Sequence, residues 1–225
     1  SEKLVPSTVG RLVKQVGADT TLKNAQRDGA QFAWVPHGDS CAFCLMLASR
    51  GWQYMSKKAL RNSHAEHIHA NCDCQYAVRF DGKSTVEGYD PDKYRKIYDF
   101  ANGNDSTEKI NSIRRMMNTK KGGLTVDQLD FVIDAYVNPS VFFNVEPATL
   151  YSKLNKLGFK IEPLKRGNIK GVAFEDGGGY GVNYLGSGYL QYHPKNFSHH
   201  KQEYYKISLA NRGKKRYNIN GEEVP

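Results

Sequence analysis

The chain has 225 residues, 39% of them hydrophobic and 24% charged, with a formal net charge of +9. That apolar share suffices for packed cores in one large or two small domains and excludes wholesale disorder. No run approaches the roughly 20 apolar residues of a membrane span, Ser1-Glu2-Lys3-Leu4 does not read as a signal peptide, and the basic balance points to polyanionic partners, nucleic acid first.

Val9, Leu12, Val13 and Val16 recur at helical spacing and predict a helix over 7–30. Its abrupt start reads as a fragment of something longer. Residues 31–80 hold a Cys/His cluster. Tyr94, Ile97 and Tyr98, then Ile110, Ile113, Met116 and Met117, predict two helices within 89–118, broken at Asn102-Gly103-Asn104-Asp105. Lys120 to Gly123 form a loop. Thr125 with Gln128 three residues on makes a capping box, and Pro139 stops the helix that follows. Pro147 opens another helix that buries Leu150, Leu154 and Leu157, with Gly158 just past its end.

After Gly158 the pattern changes. Residues 159–164, 170–175, 180–185, 188–193, 203–209 and 215–219 are short runs rich in Val, Ile, Tyr and Phe, several of them set apart by Gly and Asn. They predict strands of a small antiparallel sheet or meander. Gly177 to Gly179 make a tight turn rather than a phosphate cradle, because no helix follows. The fold class is α+β: a helical, zinc-stapled N-terminal domain at 1–120, a helical connector at 121–145, and a small basic α+β domain at 146–225.

Charge and cysteines divide oppositely. Residues 156–225 carry 12 Lys+Arg and 6 Asp+Glu, and so most of the net charge, whereas all four cysteines lie between 41 and 74. Cys41-Ala-Phe-Cys44 can place two thiolates on one side of a Zn²⁺ ion, and His69 with Cys72 can close a tetrahedron from a second segment. Cys74 competes with Cys72, and His64 and His67 are spare donors. A set without an open position or a general base suits a structural metal.

The last third carries a different chemistry. RNA cleavage without a metal needs one group to deprotonate the 2′-hydroxyl, another to protonate the leaving 5′-oxygen, and cations on the phosphate. His193, His199 and His200 suit the proton transfers, and Lys206 and Arg216 suit the phosphate. Tyr204 and Tyr205 fall on opposite faces of a strand, so one can stack on a base while the other packs inside. No carboxylate-rich cluster for Mg²⁺ accompanies them. A basic aromatic sheet that only binds nucleic acid is the plainer reading of the same residues.

Ala33-Trp34-Val35-Pro36, Cys41-Ala-Phe-Cys44, Leu47-Ala-Ser-Arg50-Gly51-Trp52, the run from His64 to Cys74, and Gly88-Tyr-Asp-Pro91 resemble phage minor capsid proteins of the Mu F type, over about residues 7–118. That resemblance implies a head morphogenesis protein in the capsid interior, in contact with portal and capsid proteins and delivered with DNA to the bacterial cytoplasm. Leu164-Lys-Arg166-Gly167, Gly177-Gly-Gly-Tyr180, Leu190-Gln-Tyr-His193-Pro194, Ser198-His199-His200, Tyr204-Tyr-Lys206-Ile-Ser and Arg216-Tyr217 resemble toxin domains of the barnase–EndoU–colicin–RelE-like ribonuclease superfamily, over about 140–225. This second resemblance implies His199 or His200 as general base or acid, Lys206 and Arg216 on phosphate, Tyr205 orienting substrate and His193 supporting the proton relay; an immunity protein is a possible partner. The alternatives are a structural capsid protein whose basic end binds packaged DNA, an ADP-ribosyltransferase using Glu203 or Glu175, and a protein-binding antagonist of host defence.

Overall fold

Helix α1 (Leu4–Arg27) opens the computed structural model, which describes residues 4–37, 40–54, 74–118, 123–167, 169–184, 188–195, 202–209 and 212–225. The helix forms where the spacing predicts it, but its stripe points outward: Val9, Leu12, Val13 and Val16 are 53%, 50%, 67% and 65% exposed. The buried contacts come from Ala18, Leu22 and Ala25 near its other end. The chain divides into two units, 1–111 and 112–225.

In the first unit, strand β1 (Gln31–Val35), helix α2 (Ala42–Ala48), and strands β2 (Gln53–Tyr54) and β3 (Gln75–Arg79) follow α1. The strands pair antiparallel in the order β2-β1-β3. Nothing in the helical reading of 1–120 anticipated this sheet. Trp34 and Tyr76 are register partners with ring centroids 4.1 Å apart. Leu22, Phe32, Trp34, Met46 and Leu47 form a core around that pair. Helix α3 (Pro91–Phe100) starts where Asp90 accepts from the backbone N–H groups of Asp92 and Lys93, with proline in the first turn. Helix α4 (Ser106–Met116) runs across the division between the units.

The second unit begins with local signals that work as read. Thr125 Oγ1 accepts from Gln128 N–H at 3.2 Å, and Gln128 Oε1 accepts from Thr125 N–H at 3.1 Å, so the capping box starts α5 (Val126–Val137). Pro139 ends it and opens a short helix, α6 (Pro139–Phe142). Helix α7 (Pro147–Lys156) buries Leu150 and Leu154, while Leu157 beyond it is half-buried. Gly158 has φ +71°; its N–H bonds to Asn155 O, and Phe159 N–H to Leu154 O, the paired bonds of a Schellman cap.

Strands β4 (Ile161–Pro163), β5 (Tyr180–Tyr184), β6 (Gly188–His193), β7 (Tyr204–Leu209) and β8 (Lys214–Asn218) then form a five-stranded antiparallel meander in chain order. The sixth expected strand, 170–175, does not form. Lys170, Gly171 and Val172 are held in turns by bonds to Gly167, Leu164 and Ile169, and Phe174–Asp176 make a 3-10 helix. Phe174 packs its ring on Tyr151 and Tyr180 instead of pairing in the sheet. Gly177, at φ +84°, closes that helix, and a side chain on Gly178 would collide with the Val172 carbonyl, so this glycine run is a tight turn.

One face of the sheet is a ladder of tyrosines. Tyr180, Tyr192, Tyr205 and Tyr217 are successive register partners across β5–β8. Phe143 stacks on Tyr205 and Tyr217 at 5.0 and 5.7 Å. The Tyr180 hydroxyl donates to Pro147 O at 2.8 Å and the Tyr205 hydroxyl to Val145 O at 2.6 Å, fastening the first residue of α7 and the segment before it to the sheet. Tyr205→Phe is expected to cost about 1 kcal/mol for the lost hydrogen bond, and Tyr205→Ala about 3–5 kcal/mol through the cavity it leaves. Denaturant unfolding of the full chain, followed by near-ultraviolet dichroism, measures both; an unchanged transition in Tyr205→Ala would contradict this packing.

Candidate nucleic-acid interface

Successive side chains of a strand point to opposite faces. With the tyrosine ladder inward, Tyr189, Gln191 and His193 of β6, Tyr204, Lys206 and Ser208 of β7, and Arg216 of β8 share the other face. The register sets them in a row: Glu162 opposes Gly181, Gly181 opposes Gln191, Gln191 opposes Lys206, and Lys206 opposes Arg216. Above this face lies a cleft of about 450 Å³, walled on the loop side by Lys165 and Arg166 and on the sheet side by residues that include His193 and Lys206.

The cleft is cationic at its centre. Burial, followed by the neighbouring Arg216 and Arg166, holds the Lys206 ammonium below the ordinary lysine range. At the rim, Glu162 accepts from Lys165 at 2.6 Å and Lys160 at 3.1 Å, which keeps its carboxylate below the usual range. Its charge is thereby spent on those two lysines rather than on the centre. Among the described residues, no group accepts from the buried Arg216 Nε–H. A cluster of cations on one face of a sheet can receive the oxygens of a phosphate.

His193 is held in place from two sides. Its ring lies parallel to that of its register partner Tyr204, with centroids 4.6 Å apart and 3° between planes. Its Nε2 is 3.3 Å from Gln191 Oε1. An imidazole fixed in this way at a cationic cleft can take or give a proton.

The structure thus brings together His193, Lys206 and Arg216, three of the side chains expected to act on RNA. Tyr205 is separated from them. It is fully buried on the ladder face with its hydroxyl on Val145 O, because the β6–β7 register turns Tyr204, not Tyr205, to the His193 side of the sheet. His199 and His200 lie outside the described residues. Glu203 accepts from the Tyr192 hydroxyl at 2.5 Å, and Glu175 sits in the 3-10 helix. Tyr189, Gln191 and Arg166 had no chemical role in the sequence reading. The i, i+2, i+4 spacing of Tyr189, Gln191 and His193 could have found the first two; Arg166, on a loop, gave no such signal.

In the first unit, Cys41 and Cys44 approach to 3.4 Å between sulfurs at the start of α2. Cys41 and Cys74 pack on the same small cluster around Cys44 and Ala18. Two thiolates on one tetrahedral zinc, each about 2.3 Å from the metal, lie slightly farther apart than that, so the pair suits one edge of such a site. Among the described residues no group of three His, Cys, Asp or Glu side chains is arranged to hold a metal ion. His69 and Cys72, the other expected ligands, lie outside the described residues.

Residues 1–101 match the model of the VG15 protein family, a viral, phage-type family. The match supports a phage protein. It ends before the second unit begins, so the cleft lies outside it. No curated protein and no solved structure matches the chain. No helix among the described residues is long and apolar enough to cross a membrane.

Proposed function

We propose that the chain is a phage minor head protein of the virion whose second unit binds RNA and cleaves it without a metal ion. The family match over 1–101 supports the phage part of this reading. The observation that carries the RNA part is the placement of His193, Lys206 and Arg216 on one face of the sheet, the first two lining a cleft that Arg166 also lines and Arg216 standing beside Lys206 on the next strand. Lys206 and Arg216 bind the phosphate oxygens, where charge grows in the transition state. His193 takes the 2′-hydroxyl proton as the 2′-oxygen attacks phosphorus. The bond to the 5′-oxygen breaks, and that oxygen is protonated by a second group, for which the sequence offers His199 and His200. The products are a 2′,3′-cyclic phosphate and a free 5′-hydroxyl. Among the described residues that line the cleft, the charged groups are cations plus one carboxylate already held by two lysines, which favours proton transfer over a metal route.

The full chain with EDTA present is expected to cut single-stranded RNA and leave cyclic phosphate ends. His193→Ala and Lys206→Ala each lower the rate by about 10²–10⁴-fold, the usual size of a general acid–base contribution. The same assay on His199→Ala and His200→Ala identifies the second proton-transfer group. Intact RNA after incubation with folded wild-type protein would overturn the reading in favour of a nucleic-acid-binding capsid component.

For the first unit, the proposal is a structural zinc ion on Cys41 and Cys44, completed from Cys74, His69 and Cys72. The close Cys41–Cys44 pair and the neighbouring Cys74 support it. Zinc there supplies folding free energy by cross-linking α2 to the segment that leads into β3. Elemental analysis is expected to find one zinc per chain, lost in Cys44→Ser together with several degrees of melting temperature. Metal-free protein that melts like the metal-loaded form would refute it.

A further inference from the structure

We infer that the Tyr189 end of the cleft is a nucleobase subsite, with the Tyr189 ring as stacking platform and the Asn183 carboxamide as reader of the base edge, so that the substrate is a single strand. The inference rests on the reading above, in which Lys206 and Arg216 hold phosphate.

Tyr189 and Asn183 are register partners on β6 and β5, and both line the cleft. Asn183 is the exposed residue of its strand, and Tyr189 is half-buried. The Lys206 ammonium lies over one face of the Tyr189 ring, 5.2 Å from its centroid, so the base stacks on the ring's other face. A phosphate paired with that ammonium is therefore within one nucleotide of the ring. Tyr189 and Gln191 are also one two-residue strand repeat apart, about 7 Å, which places base and phosphate on neighbouring rungs.

Gly181 supports the same assignment. It sits mid-strand in the row between Glu162 and Gln191, and its φ is not in the left-handed region, so the backbone does not demand glycine there. An added Cβ would stand 3.0 Å from Gln191 Cγ, on the cleft floor. The glycine thus keeps a methyl group off the Gln191 side chain on the cleft floor, and a mid-strand glycine is also where a ligand can approach the sheet closely. A base in a duplex is already stacked and paired, whereas an unpaired base offers its face to tyrosine and its edge to an amide that both donates and accepts.

The test is binding of the full chain to a short 2′-O-methyl oligouridylate, which cannot be cut, to its duplex with oligoadenylate, and to linear polyphosphate. Wild type is expected to prefer the single strand to both others. Tyr189→Leu, which keeps apolar bulk, weakens the single strand roughly tenfold and leaves polyphosphate unchanged, and Tyr189→Phe restores binding. Lys206→Met weakens every probe. If Tyr189→Leu binds the single strand like wild type while Lys206→Met does not, the base subsite falls and the phosphate reading stands. If Lys206→Met weakens no probe, both fall.

Discussion

Which way the pleat of β5–β8 faces decides everything else in the second unit. Because side chains alternate, one register puts the four tyrosines of the ladder and Tyr184 inward and His193, Lys206 and Arg216 outward, and a slip of one residue would exchange the two sets. The inward set is large, aromatic and anchored by hydroxyls to the carbonyls of Val145 and Pro147. Burial of those rings contributes far more than any polar contact on the open face. The core thereby fixes the geometry of the cleft, and the cleft does not have to stabilise itself.

That division of labour explains how cations can be kept together. Lys206 sits beside Arg216 and Arg166, and burial adds to their repulsion. Its charged form therefore costs the fold stability at neutral pH, a cost that disappears as pH rises from the lowered value to that of an ordinary lysine. A bound phosphate offsets the same cost. Functional sites commonly hold such unfavourable arrangements because the surrounding structure imposes them. Here the imposing structure is the tyrosine ladder on the reverse of the same strands.

Much of the fold was legible because it rests on local chemistry. The Thr125–Gln128 box, Pro147 and Gly158 each act within one helical turn, and five of the six strands lie between the punctuating glycines and asparagines. The unread parts depend on partners distant in sequence. Tyr204 and Tyr205 are adjacent and chemically alike, so only pairing with β6 and β8 tells which one joins the ladder and which packs under His193 on the other face. Residues 170–175 look like a strand until Phe174 finds Tyr151 and Tyr180. The stripe of Val9, Leu12, Val13 and Val16 gave the helix correctly but not its buried face, because Ala18, Leu22 and Ala25 make that contact. In the site, the spacing of Tyr189, Gln191 and His193 was visible in the sequence, whereas Arg166 comes to the cleft from a loop whose path no periodicity encodes.

The central claim is that nucleic acid meets this chain on the open face of the five-stranded sheet. Photo-crosslinking of the full chain to a 4-thiouridine-bearing, 2′-O-methylated RNA, with adducts located by mass spectrometry, reads that face directly. Adducts are expected on peptides that contain Tyr189, His193 and Lys206. Adducts confined to residues 1–111, or to peptides that contribute to neither the open face of β5–β8 nor the cleft wall, would contradict it.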